Sequence, residues 1–212
     1  MLRKYNCLIS AGPTREWIDP VRFISNPSSG KMGYAIAHEA CRRDFHVNLV
    51  SGPVSEPKID GITTTYVETA KEMANAIYSY FDKADIIIMS AAVCDHRPKQ
   101  IYSEKIKKNA FPDKIEFERT EDILYELGKK KDDFQILIGF AAETENCEKN
   151  AIEKLHRKNL DWIILNDVSK KNSGFNSQFN QVTLFSQKEE KIVLEISKKE
   201  IIAKQIFDII LM

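Results

Sequence analysis

Short apolar runs alternate along this chain with longer amphipathic stretches, and that alternation constrains the fold more than any other feature of the sequence. A strand, a helix and a further strand in repeating order build parallel βαβ units, whose strands share one sheet. Strands are predicted over 5–10, 46–51, 63–67, 86–91, 136–140 and 162–165, each followed by polar or turn-forming residues. The run Ile86-Ile87-Ile88-Met89 is continuously apolar, as a central strand buried on both faces requires. Helices fill 30–43, 70–81, 121–130 and 146–158. Thr69 with Glu72 and Ser197 with Glu200 match the S/T-x-x-E capping box and predict helix starts there. Segments 181–185 and 191–196, separated by SQKEE, read as an antiparallel hairpin appended to the sheet. A last helix over 198–211 gathers Ile201, Ile202, Ile206, Ile209 and Ile210 on one apolar face, with core closure as its role. The fold class expected is α/β: a Rossmann-like open parallel sheet with helices on both faces and a C-terminal antiparallel hairpin.

With 212 residues, no low-complexity linker and no internal repeat, residues 1–212 read as a single domain. Thirty-one basic residues cancel thirty-one acidic ones, so no bulk field recruits nucleic acid or an anionic membrane. The N-terminus carries no secretory apolar region and no stretch approaches a membrane span, which makes a cytoplasmic protein the expectation. Cys7, Cys41, Cys94 and Cys147 lie far apart without a C-x-x-C, against a zinc ribbon or a redox dithiol. His38, His46, His96 and His156 show no metal-binding pairing, so no side-chain metal cage is expected. A metal would arrive with a phosphate ligand.

In an open parallel sheet, ligands bind beyond the carboxyl ends of the strands where strand order reverses. Three strand ends supply unusual residues there: 11–16 (AGPTRE), 90–95 (SAAVCD) and 139–144 (GFAAET). The strongest local signal is NPSSGKMG over 26–33, where small residues let the backbone approach a phosphate and a following helix offers N–H groups. Two readings stay open, a phosphate cradle or a tight helix start with Ser28 or Ser29 as N-cap. Ser28, Gly30 and Gly33 echo G-x-G-x-x-G, but a proline-bearing loop separates them from the first strand. No acid ends the second strand to take a ribose hydroxyl, which disfavours NAD. No G-x-x-x-x-G-K-[ST] occurs, which excludes a P-loop.

Lys105 and Lys107 point the same way in an extended segment, so a mobile loop could close two charges over an anion; a solvated basic run is the alternative. Lys154 and Lys158 repel at i,i+4, a cost that a bound polyanion would relieve, unless both lie on one exposed face. Asp95 is placed to ligand a metal or a hydroxyl, or is an ordinary turn residue. Cys94 reads as a small filler, and Lys129-Lys130-Lys131 as a helix end matched to its dipole.

Together GPTRE, DPVRFISN (19–26), SSGKMG, AAV-x-D, KIKK (105–108), GFAAET and LNDV (165–168), in this order and spacing, resemble bacterial phosphopantothenoylcysteine synthetase across almost the whole chain. The resemblance implies a step of coenzyme A biosynthesis. In it CTP activates 4'-phosphopantothenate to an acyl-cytidylate with loss of pyrophosphate, and the L-cysteine amine then displaces CMP. It further implies a stand-alone ligase without the flavin-dependent decarboxylase, Mg²⁺ accompanying the nucleotide, and neither flavin nor NAD. By similarity Asn26 and Lys105 are catalytic, with Asn26 also binding phosphopantothenate together with Ala91, Ala92 and Asp95. Arg22 reaches the phosphopantothenate of the neighbouring subunit, which implies a homodimer with shared active sites. Gly12, Ser28, Gly30 and Gly33 hold the nucleotide phosphates, and Ala91, Asp95, Lys105, Phe140, Lys154, Lys158 and Asn166 surround the nucleotide. Asp122 and Ile123 match a nucleotide-contacting turn only loosely. Pro27, Cys94 and His96 depart from the family pattern. Two rival readings remain, a nucleotide-dependent oxidoreductase on the same fold and a non-catalytic nucleotide-binding module.

Overall fold

The first strand can be buried on both faces because its side chains alternate between two cores. Cys7, Ile9 and Ala11 join one cluster and Leu8 the other, all fully buried. The computed structural model describes residues 4–167 and 177–212. In chain order the elements are β1 (Asn6–Ala11), β2 (Arg15–Asp19), β3 (Arg22–Ser25), α1 (Lys31–Arg42), β4 (His46–Ser51), β5 (Thr63–Tyr66), α2 (Ala70–Phe81), β6 (Ile86–Met89), β7 (His96–Pro98) and β8 (Phe117–Arg119). They continue with α3 (Ile123–Lys130), β9 (Ile136–Glu143), α4 (Cys147–Arg157), β10 (Trp162–Asp167), β11 (Phe179–Ser186), β12 (Lys191–Lys198) and α5 (Lys199–Ile210).

The main sheet runs β12-β11-β10-β9-β6-β1-β4-β5. From β5 to β10 neighbouring strands are parallel, and β11 and β12 close that edge antiparallel, as the sequence predicts. Strand order reverses between β1 and β6, which opens the switch-point crevice. Helices α1 and α5 cover one face through Ile36, Ala37, Ala40, Ile202, Ile206 and Phe207. Helices α2, α3 and α4 cover the other through Met73, Ile77, Leu124, Leu127, Ala151 and Leu155. No helix among the described residues is long and apolar enough to cross a membrane.

Four strands escape the sequence reading, namely the β2–β3 and β7–β8 hairpins, each forming a small sheet of its own. They are short, charged and punctuated by Pro20 and Pro98, so no period-2 apolar pattern marks them. The Thr69 capping box forms in full, with reciprocal Thr69 and Glu72 bonds. The Ser197 box does not. β12 continues to Lys198 and pairs Ser197 with Asn180, so α5 starts at Lys199 with no side-chain cap. Helix α3 begins at Ile123, with the Asp122 carboxylate accepting the Tyr125 N–H as its N-cap. Val168 of the LNDV motif lies outside the described residues.

Candidate functional site

Past the end of the sheet, the loops after β1 and β6 stay paired. Ala92 N–H donates to Gly12 O at 2.9 Å, Thr14 N–H to Ala92 O at 3.3 Å, and Cys94 N–H to Thr14 Oγ1 at 2.9 Å. This zipper gives the β2–β3 hairpin a fixed base, and β3 delivers Asn26 back onto it. The Asn26 amide donates to Ala92 O at 3.1 Å and Val93 O at 3.2 Å. Its two hydrogens are thereby committed, and its oxygen is the end that can accept from a ligand. The chain then turns around Pro27, with Ser28 N–H donating to Asn26 O at 2.8 Å. A proline at the centre of that three-residue turn stiffens the approach to α1.

Helix α1 starts on Gly30, which takes a left-handed φ of 77°, and no side chain among the described residues caps it. The N-cap reading of Ser28 and Ser29 is corrected by that geometry: Ser28 Oγ accepts only a long 3.4 Å contact from Gly30 N–H. A helix start of this kind presents N–H groups that suit an anionic acceptor. Gly33 lets α1 lie close on the sheet, since a Cβ there would stand 2.5 Å from Ala11 Cβ and 2.6 Å from Ser90 Oγ.

A cavity of about 420 Å³ opens over this helix start. Its wall includes Asn26, Ser28, Gly30 and Gly33, then Ala91, Ala92 and Asp95, then Phe140, Lys154 and Asn166. Ten of the positions singled out by resemblance thus meet in one crevice, drawn from the lead-in and first turn of α1, the loop after β6, and from β9, α4 and β10. Lys154 leaves the exposed-face alternative behind: its Nζ donates to Phe140 O at 2.8 Å, and burial, followed by the Lys158 charge, pulls its pKa down to about 8. The oxygen of Asn166 is buried with no hydrogen-bond partner, an acceptor that a ligand would satisfy.

Other singled-out residues lie outside the cavity wall. Gly12 is packed under the helix start, where a Cβ at Gly30 would lie 3.5 Å from its Cα. Lys158 is buried and pairs with Asp122 Oδ1 at 2.7 Å, which makes Asp122 both helix cap and counter-ion. Burial raises the Asp122 pKa, and the Lys158 ion pair with the Tyr125 N–H brings it below the ordinary value. Ile123 is buried in the core beneath α3. Arg22 pairs with Asp19 at 2.6 Å and stacks over Phe111, on the hairpin rather than at the cavity. Lys105 is exposed, while Ile106 beside it is buried. Cys94 is buried and burial pushes its thiol up, in keeping with a filler rather than a nucleophile.

Two further wall residues, Asn180 and Lys199, were not singled out by the sequence. The available signal was a lysine at the first turn of a helix, where the dipole disfavours a cation. Among the described residues no three His, Cys, Asp or Glu side chains gather as a metal site.

A doubly wound sheet with a helix start, lysines and an asparagine turned into its switch-point cavity defines a Rossmann-like α/β protein with an anion-receptive crevice. The chain belongs to the family described as the DNA/pantothenate metabolism flavoprotein C-terminal domain, which matches residues 2–212. It is 47% identical over 193 residues to the coenzyme A biosynthesis bifunctional protein CoaBC of Bacillus subtilis, covering 91% of this chain and 47% of that protein. With CoaBC of Escherichia coli K12 the identity is 45% over 210 residues, covering 98% and 52%. The chain thus spans about half the length of these curated relatives. The crystal structure of the C-terminal domain of CoaBC superposes with a TM-score of 0.84 at 43% identity, covering 99% of this chain and 95% of that one. A mutant of Cab2 in complex with phosphopantothenate-cysteine shares the fold, with a TM-score of 0.75 at 17% identity over 96% of this chain and 85% of that one.

Proposed function

We propose that this chain is a phosphopantothenate–cysteine ligase of coenzyme A biosynthesis that uses CTP. The observation that carries this reading is the single cavity in which Asn26, the α1 start, Asp95, Lys154 and Asn166 meet. A 4'-phosphopantothenate carboxylate attacks the α-phosphorus of CTP and pyrophosphate leaves. The L-cysteine amine then attacks the acyl carbon of the acyl-cytidylate and CMP leaves.

Bringing a carboxylate to a phosphate joins two anions, and unit charges about 4 Å apart interact by about 4 kcal/mol at an effective dielectric of 20. Cations and helix N–H groups at the crevice oppose that repulsion. In this mechanism Ser28, Gly30 and Gly33 receive phosphates, Lys154 and Phe140 flank the nucleotide, and Ala91, Ala92 and Asp95 face the phosphopantothenate. Gly12 supports the cradle from below, and the Asp122–Lys158 pair with Ile123 sets the position of α3 beside α4. The Asn26 oxygen accepts an N–H of the incoming amine, because its own hydrogens are held by Ala92 and Val93. Mg²⁺ enters with the nucleotide. Arg22 and Lys105 flank the Asp19 anchor, which pairs with Arg22 and accepts the Ile106 N–H, and serve the crevice of the neighbouring subunit in a homodimer. The setting is the cytoplasm.

The test is mass-spectrometric product analysis with Mg²⁺, 4'-phosphopantothenate and either CTP or ATP, with and without cysteine. Formation of acyl-cytidylate from CTP, converted by cysteine to phosphopantothenoylcysteine and CMP, is the expected result. Binding without nucleotide consumption overturns it in favour of a non-catalytic module.

A further inference from the structure

The peptide unit between Val93 and Cys94 is gripped at both edges. Its N–H donates to Thr14 Oγ1 at 2.9 Å, and its C=O accepts the Asn26 amide at 3.2 Å. The N–H and C=O of a trans peptide point in opposite directions across one plane, so the hydroxyl that fixes one edge sets how the other faces Asn26. A second link runs through Ala92 O, which accepts the Thr14 N–H at 3.3 Å and the Asn26 amide at 3.1 Å. A third runs through Ser25, the chain neighbour of Asn26, whose hydroxyl donates to Thr14 O at 2.7 Å. Thr14 thus reaches Asn26 by three routes while lying behind the cavity wall rather than in it.

Thr14 is fully buried, so its polar atoms need partners inside the protein. Its hydroxyl accepts from Cys94 and has one hydrogen left to donate, for which the Glu16 carboxylate lies beside it. Glu16 is itself only 4% exposed and accepts the N–H of Ala70, the first residue of α2, at 2.8 Å. Burial raises the Glu16 pKa, and the Ala70 N–H, the Thr14 hydroxyl and the Arg97 charge act against that rise. The hydroxyl therefore has a partner on each side, and turning it strands a buried polar group. Valine has the shape of threonine, so packing alone does not account for a hydroxyl at this point.

We propose that Thr14 is a positioning residue for the amide-forming step: its hydroxyl sets the Val93–Cys94 peptide plane and, through it, the aim of the Asn26 oxygen at the incoming amine. The proposal deepens the ligase reading and rests on it for the identity of the step, whereas the aim of Asn26 is measured without turnover. In the isotope-labelled full chain, exchange of the Asn26 side-chain NH2 is followed by NMR. It is expected to be about tenfold faster in Thr14→Val and to keep the wild-type rate in Thr14→Ser. Single-turnover assays use Mg²⁺, CTP, 4'-phosphopantothenate and L-cysteine. Thr14→Val is expected to slow amide formation about tenfold while acyl-cytidylate formation stays within about twofold, and Thr14→Ser to restore the wild-type rate. A merely structural threonine slows both steps alike or neither, and either result in a folded Thr14→Val protein overturns the proposal. So does a Thr14→Ser protein that behaves as Thr14→Val, or Asn26 exchange that Thr14→Val leaves unchanged. Thermal unfolding checks each variant. If Thr14→Val does not fold, Ser25→Ala, which cuts the third link, carries the test with the same expected exchange and the same split between steps. Absence of acyl-cytidylate in the wild type fails the ligase reading, and the Asn26 exchange still decides whether Thr14 holds that side chain.

Discussion

The buried carboxylate of Asp19 accepts the backbone N–H of Ile106 at 3.2 Å, tying the KIKK segment to the β2–β3 hairpin. The same carboxylate accepts the N–H groups of Val21 and Arg22 and pairs with the Arg22 guanidinium, which in turn donates to Ile106 O at 3.3 Å. Burial pushes the Asp19 pKa up, and these donors bring it below the ordinary value, so it stays charged at neutral pH. Sequence spacing suggests a free loop around Lys105. The structure instead anchors that loop at the residue next to it, and Arg22 and Lys105 form one unit.

Asp19→Asn should therefore affect both residues together. The expected result is at least tenfold faster amide exchange at Ile106 and a fall in ligase activity that Arg22→Ala in the same background does not deepen additively. Exchange at Ile106 unchanged from wild type would show that the anchor is dispensable.

Legibility in the sequence follows how local each cause is. β1, β6 and the Thr69 cap are readable because their patterns need only neighbours in the chain. The cradle at 26–33 is readable because small residues at fixed spacing have few other uses. Lys158 and Lys199 are not readable in this way. One is buried by Asp122, 36 residues earlier, and the other becomes a cavity wall only when β11 packs beside α1. The Ser197 box fails for a similar reason, since pairing with β11 outcompetes a local cap.

Gly33→Ala tests the close approach of α1 to the sheet. The added methyl would meet Ala11 Cβ and Ser90 Oγ at distances no relaxed contact reaches, and Ala11 belongs to a packed central strand. Overpacking of this kind costs about 1–3 kcal/mol, and it shifts the helix start that faces the cavity. Urea denaturation and nucleotide titration should both show a loss; retained stability and affinity would mean that the helix end yields without cost.

Asn26→Asp replaces two donors with a carboxylate facing the carbonyls of Ala92 and Val93. Repulsion turns the side chain away and removes the acceptor proposed for the cysteine amine. The acyl-cytidylate is expected to form and accumulate, with amide formation slowed at least a hundredfold in single-turnover assays. Equal slowing of both steps would place Asn26 in activation instead.

The depressed lysines give the free protein an unusual alkaline limb. Lys154 is lowered from 10.5 to about 8, so between those values the unfolded chain binds a proton that the folded chain has released. Stability from this group therefore rises with pH across the window from about 8 to 10.5, by up to about 1.4 kcal/mol per pH unit. Lys158, Glu143, Asp122 and Asp95 are the charges acting on it. Buried Cys7 and Cys94 pull the other way, because burial raises their pKa and their unfolded thiols ionise near 9. A comparison of wild type with Lys154→Met cancels the cysteines. The wild type should gain on the variant in urea denaturation from pH 8 to 10, whereas parallel curves would mean that Lys154 keeps an ordinary pKa in the folded state. Saturating nucleotide should flatten the difference, because an anion beside Lys154 holds its proton on and restores the charge that burial had made costly.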